Sequence, residues 1–172
     1  MEWRALAVAP AALTIAVPAH ATVYFTVEQV QRALFPRATL TPLSIHITDA
    51  QKQAIERASG VTVRNRDPRV WRASSGGFLI VDQVLGKHDY ITYAVALTAS
   101  GAVRGLEIME YRESYGYEIR DAAWRRQFVG KTSAAPLKLD GDISNISGAT
   151  LSSRHVTEGV KRLLATYNAV LR

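Results

Sequence analysis

Three long apolar runs joined by tight turns fill the middle of the chain and narrow the choice of fold more than any other feature. Phe78–Leu85, Ile91–Leu97 and Val103–Tyr111 each have strand length, and Ser100-Gly101 marks the turn between the last two. A shorter run, Val70–Ala73, leads through Ser74-Ser75-Gly76-Gly77 into the first of them. Turns this short join antiparallel neighbours, because a parallel crossover needs a dozen or more residues. The pattern predicts an antiparallel sheet. Large apolar and small residues alternate in Ile91–Leu97, as in a strand with one face on a core. The alternation shifts across Gly105, which marks a candidate β-bulge.

Helical patterns flank the strands. Tyr117, Trp124 and Phe128 are spaced to share one helical face, and Val156, Val160, Leu163, Leu164, Tyr167, Val170 and Leu171 form the apolar stripe of a C-terminal helix. The expected class is α+β, with helices packed against an antiparallel sheet. Upstream, Thr26 with Gln29 and Thr48 with Gln51 have capping-box spacing. Phe25 and Val30 sit where a hydrophobic staple closes, and Phe35-Pro36 and Gly60 provide the stops. The second of these helices has a thin apolar face of Ala50, Ala54, Ile55 and Ala58, which places it on the surface. Residues 22–69 are therefore expected as a small N-terminal helical segment before a main domain at 70–172.

Residues 5–18 form a short apolar run followed by Ala19-His20-Ala21, the pattern of a secretory signal with an A-x-A cleavage site. Residues 1–21 are expected to be a signal peptide, with a mature chain from Thr22 in the periplasm or another extracytoplasmic space. The run is short for a membrane span and is interrupted by Pro10 and Pro18, although an uncleaved anchor is the alternative. The chain has no cysteine. That removes disulfides, thiol redox chemistry, thiolate-held iron–sulfur clusters and c-type haem attachment. Any electron carrier here must be an acquired cofactor.

The net charge is +6 and the pI about 9.8. In an exported protein this favours an anionic membrane surface or an acidic redox partner over nucleic acid. Arg64, Arg66, Arg69 and Arg72 form the densest basic cluster. No pair among His46, His88 and His155 has metal-ligand spacing, and no serine, histidine and aspartate group points to a hydrolase. Neither a P-loop nor a Rossmann fingerprint is present.

The stretch richest in chemistry is Ile146-Ser147-Gly148-Ala149-Thr150-Leu151-Ser152-Ser153, at the mouth of the C-terminal helix. Small and hydroxyl-bearing residues at a helix N-terminus suit an ordinary cap, and equally a phosphate held by free N–H groups and the helix dipole. This stretch resembles the flavinylation motif of the FMN-binding domain family, which includes the covalent-FMN subunits of the sodium-pumping quinone reductase and Rnf complexes. Glu113-Ser114-Tyr115-Gly116-Tyr117, then Trp124, Phe128, Gly130 and Lys131, follow the order of the same domain, and the resemblance spans roughly residues 70–170.

The resemblance implies FMN joined through a phosphoester to Thr150, installed by a Mg2+-dependent FMN transferase with FAD as donor. It implies that Ser147, Gly148, Ala149, Ser152 and Ser153 surround the attachment point, and that the Glu113–Tyr117 loop, with Ser114, Tyr115 and Gly116, borders the flavin. Lys131 is a candidate for the flavin phosphate or a ring oxygen, or simply for the end of its own helix. One position departs from the pattern. Where the family usually has Asp six residues before the Thr, this chain has Ser144, with Asp142 two residues further back.

The expected function is an exported electron-transfer flavoprotein, a carrier or redox subunit more than a stand-alone enzyme, served by a membrane-bound redox partner. The alternatives are a periplasmic accessory or binding module without covalent flavin, which Ser144 favours, and a flavin-dependent reductase of a small acceptor such as chelated ferric iron.

Overall fold

The computed structural model describes residues 22–113 and 115–172. The expected signal and its cleavage site fall in residues 1–21, outside the described residues, as does Ser114. In chain order the elements are β1 (Thr22–Val23), α1 (Val27–Leu34), β2 (Leu40–Leu43), α2 (Asp49–Ser59), β3 (Arg69–Ala73), β4 (Phe78–Leu85), β5 (Tyr90–Leu97) and β6 (Val103–Tyr111). A 3-10 turn (Tyr117–Arg120), α3 (Ala122–Arg126), α4 (Thr150–Thr166) and a closing π turn (Tyr167–Leu171) complete them. Among the described residues the strands form one antiparallel sheet in the order β1-β6-β5-β4-β3-β2. The class is α+β.

Strand and cap signals act where the sequence places them. Gly76 and Gly77 take left-handed backbone between β3 and β4, and both Thr26 and Thr48 make complete capping boxes with Gln29 and Gln51. Gly60 ends α2 with left-handed φ. The register shift near Gly105 is present. Ala96 pairs with Gly105 and Leu97 with Val103, so Arg104 is the extra residue. Gly105 also lies against Leu34 of α1, where a Cβ would crowd the leucine side chain at 2.7 Å.

The structure adds to two expectations. Residues 22–69 supply both edge strands, β1 and β2, as well as two helices. Pro42 weakens the strand signal of β2, yet an edge strand tolerates proline because one side of it has no ladder partner. The sheet is also buried on both faces. Ile91, Tyr93, Val95 and Leu97 face α4 and α3, while Ala94 and Ala96 join Val30, Phe35, Leu79 and Met109 under α1. The small residues of β5 are therefore a second core surface, fitted to a close helix.

α4 is fixed on the sheet by a buried polar group. The Tyr93 hydroxyl donates to Asp82 Oδ2 at 3.0 Å, and Arg162 Nη2 donates to the same oxygen at 2.5 Å. Burial and the neighbouring Asp82 carboxylate hold the Tyr93 phenol well above its ordinary pKa. Burial works against the Arg162 charge, but Tyr93 and Asp82 outweigh it, and the guanidinium pKa is raised. Such a pair adds little net stability, but losing one partner strands a buried charge at about 3–5 kcal/mol. Gly159 leaves space for the Tyr93 hydroxyl against the helix. The triad thus sets how α4 lies, and with it where the helix mouth opens.

Candidate functional site

The mouth of α4 is assembled from backbone. Ala149 stands at the cap position without a capping side chain, so the first-turn N–H groups are left for solvent or a ligand. Gly148 takes φ 83° with open space around it, a conformation that favours glycine. Thr150 is the first helical residue and is exposed, and its Oγ1 accepts a 3.3 Å hydrogen bond from Asn145 Nδ2. The neighbouring hydroxyls divide sharply. Ser153 is 0 % exposed and donates to Ala149 O at 2.9 Å, and Ser152 is 4 % exposed with its Oγ 3.2 Å from the Tyr111 hydroxyl. Ser147 is exposed. Four hydroxyls in the motif thus reduce to two that a large reagent can reach.

The loop from 113 to 117 is brought against this mouth. Gly116 (φ 91°) lies so close to Ala149 that a Cβ on it would meet the Ala149 Cβ at 3.1 Å and the Tyr111 hydroxyl at 2.6 Å. Tyr111 joins the two, since its hydroxyl donates to Tyr115 O and lies beside Ser152. Burial pushes the Tyr111 phenol up, with Glu113 and Glu118 adding to the shift and the Ser152 hydrogen bond opposing it. This residue was missed in the sequence because it reads as the last apolar position of a strand. Its position two residues before Glu113 was the available signal.

The described side chains of the loop, Glu113, Tyr115 and Tyr117, point elsewhere. One oxygen of Glu113 accepts from the backbone N–H groups of Lys87, His88 (2.9 Å) and Asp89 (3.4 Å), which holds the β4–β5 turn. Tyr115 and Tyr117 are 82 % and 59 % exposed. Tyr117 therefore does not share a helical face with Trp124 and Phe128, because the 3-10 turn and the break at Asp121 separate them. Trp124 and Phe128 are core residues packed edge to face, at 5.1 Å between ring centroids.

Lys131 is also committed. Its Nζ pairs with Asp142 Oδ2 at 2.8 Å, and the same carboxylate accepts from the N–H groups of Lys138 (2.8 Å) and Leu137 (3.3 Å). Burial raises the Asp142 pKa, but these three donors outweigh it and hold the carboxyl below its ordinary value. They brace a loop in which Leu137 and Asp140 have positive φ (46° and 58°), a conformation of roughly 1–2 kcal/mol each for non-glycine residues. Ser144 follows, fixed through backbone alone: its N–H donates to Gln127 Oε1 and its C=O accepts from the Trp124 indole, both at 2.8 Å. Asp142 is thus the brace of the loop and does not stand in for the residue at 144.

On its other side Thr150 borders a cleft of about 870 Å³ that runs along α4, between the β4–β5 hairpin end, the loop at 136–140 and the residues after α2. Arg64, Lys138, Arg154, Lys161 and Arg162 make its lining predominantly cationic, with Asp140 and Glu158 as the carboxylates. The volume lies within the range of small-molecule sites. Among the described residues, neither Lys131 nor Glu113, Tyr115, Gly116 or Tyr117 lines it. The described residues contain no cluster of potential metal ligands, and no helix among them is long and apolar enough to cross a membrane.

The family model of the FMN-binding domain matches residues 86–165. That segment runs from the β4–β5 turn into the last turn of α4, and so contains the Glu113–Tyr117 loop, Thr150 and most of the cleft wall. A comparison with curated proteins gives no match.

Proposed function

We propose that this protein is an electron-transfer flavoprotein that carries FMN on Thr150 through a phosphoester. The observation that carries the proposal is the exposed Thr150 hydroxyl at an uncapped helix N-terminus, inside the segment that matches the FMN-binding domain. The residues present fit the phosphodiester that would join FMN to a threonine oxygen. The open N–H groups and the helix dipole favour its negative charge, and Gly148 leaves free space beside it. Arg154, one helical turn beyond Thr150, adds a cation on the same side of α4.

Attachment is a group transfer. The Thr150 oxygen attacks the flavin-side phosphorus of FAD on an FMN transferase with Mg2+. The new O–P bond replaces the pyrophosphate bond, AMP leaves, and the hydroxyl proton passes to a base on the transferase. FMN, once bound, supplies one- or two-electron chemistry. The chain's own contribution is to fix the phosphate end, present the ring to partners and set the surrounding charge. Residues 1–21 support export, the cationic surface supports an acidic or membrane-bound redox partner, and covalent attachment prevents loss of the cofactor outside the cytoplasm.

Co-expression with an FMN transferase should add the mass of FMN less one water, with colour that survives denaturation. Thr150→Ala should abolish both and change stability by no more than about 1 kcal/mol, the worth of a cap-region hydroxyl. Peptide mapping of the flavin to Ser147 would overturn the assignment. A second reading, a module without covalent flavin, is favoured by Ser144, whose side chain takes the place of a carboxylate. Absence of any covalent flavin in the presence of an active transferase would establish it.

A further inference from the structure

We infer that Asn145 is a positioning residue for the Thr150 hydroxyl, and that it takes this part in place of the side chain at 144. The inference rests on Thr150 as the attachment point.

An exposed threonine at the first position of a helix has several staggered χ1 wells, and only part of that range presents its oxygen to an incoming phosphorus. Among the described residues, one hydrogen bond reaches Thr150 Oγ1, the 3.3 Å bond from Asn145 Nδ2. The amide that donates it is itself fixed. Asn145 Oδ1 accepts from the Ile146 N–H at 2.8 Å, which settles the end of the amide that faces Thr150. Asn145 is half-buried and Thr150 exposed, so the supporting group is the more sheltered of the two.

The backbone on both sides of Asn145 is pinned as well. Ser144 is held through its N–H by Gln127 Oε1 and through its C=O by the indole of Trp124, a core residue. On the other side the Ala149 N–H donates to Ile146 O at 3.0 Å, which closes the turn that brings residue 150 back towards residue 145. The Ser144 hydroxyl makes no hydrogen bond among the described residues. The departure at 144 is therefore answered one residue later, by an amide instead of a carboxylate.

An amide suits the task for a chemical reason. Nδ2 donates to one lone pair of the threonine oxygen and accepts nothing, so the hydroxyl proton and the second lone pair stay available. In the transfer that lone pair forms the bond to the flavin-side phosphorus of FAD. The pyrophosphate bond breaks with its electron pair going to AMP, and the proton passes to the base on the transferase. A neutral amide also adds no repulsion to the arriving phosphate.

The test uses the full chain with purified FMN transferase, Mg2+ and FAD, and follows labelling by intact mass. Asn145→Ala should lower the maximal labelling rate by roughly tenfold, the upper range for one lost hydrogen bond, with little change in the KM for the chain. Ser144→Ala should label at the parent's rate. A readout free of the transferase is the Thr150 χ1 angle from three-bond couplings in NMR, which should show one well in the parent and averaging in Asn145→Ala. Either a parent rate or a single χ1 well in Asn145→Ala overturns the inference while attachment stands. So does an equal loss in Ser144→Ala, or a loss confined to KM, which would mean that the transferase reads Asn145 directly. Failure of the parent itself to label removes attachment, and the inference with it.

Discussion

The two segments that meet at Thr150 share a contact, but they are built in opposite ways. The 113–117 loop is held by side chains that turn inward or away: Tyr111 grips its backbone, Glu113 reaches to the β4–β5 turn, and Gly116 is pressed on Ala149. The mouth of α4 is held by backbone and leaves side chains outward, with Gly148 in open space and Thr150 exposed. A segment whose polar groups are spent on the fold sets shape. One whose donors and hydroxyl remain free can take a ligand. The difference explains why two motifs equally prominent in the sequence need not play equal parts.

Gly116 and Gly148 give the sharpest way to break this comparison, since both have positive φ, 91° and 83°. Valine at either position meets the left-handed penalty of roughly 1–2 kcal/mol. Only at 116 does it also collide, with Ala149 and the Tyr111 hydroxyl, which adds roughly 1–3 kcal/mol of overpacking. Gly116→Val should therefore be the more destabilising by a clear margin in chemical denaturation, with the difference appearing in the midpoint at constant slope. Equal costs would mean that the 113–117 loop is not packed against the helix mouth.

Asp142→Asn tests the brace behind the mouth. It removes a carboxylate that accepts from Lys131 and from two backbone N–H groups, a loss of about 2 kcal/mol for charge-assisted bonds. The pH dependence has a definite sign. The folded-state pKa is depressed, so the carboxylate's contribution is complete above the ordinary aspartate range and disappears as pH falls through the folded value. The variant should lag the parent at neutral pH, and the gap should narrow as pH falls below the ordinary aspartate value of about 3.9. A gap that does not narrow in acid would show that Asp142 braces the loop by shape and not by charge.

Much of the scaffold was legible because its signals are local. Capping boxes at Thr26 and Thr48, the Gly76-Gly77 turn and the apolar stripe of α4 each act within a few residues. What could not be read depended on partners distant in sequence. Nothing near Ala94 and Ala96 announces that α1 will cover them, and Pro42 argues against the edge strand it occupies. At the site, the motif named Thr150 and its neighbours, but only packing separates the exposed hydroxyl at 150 from the buried ones at 152 and 153. Glu113 was expected beside the flavin by resemblance, and Lys131 as a cation for its phosphate or a ring oxygen. Their partners, the 87–89 backbone and Asp142, lie 24 to 26 and 11 residues away.

Tyr111→Phe is the gentlest probe, and it addresses a hydroxyl that touches both segments. The substitution removes one hydroxyl and keeps the ring, so the core loses no volume at β6. It should cost about 1 kcal/mol, the net worth of a typical hydrogen bond, because the solvent-accessible loop can rehydrate the freed Tyr115 carbonyl. Its effect on local order should exceed its effect on global stability. The hydroxyl also lies beside Ser152, so removing it frees the loop from the first turn of α4. Hydrogen exchange should then accelerate in residues 115–117 and in the first turn of α4, while β4 and β5 remain protected. If exchange rises in the loop alone, the mouth of α4 holds its shape without help from the loop. Faster exchange in both shows that the tyrosine couples them, and substitutions in the 113–117 loop then reach Thr150 through this hydroxyl.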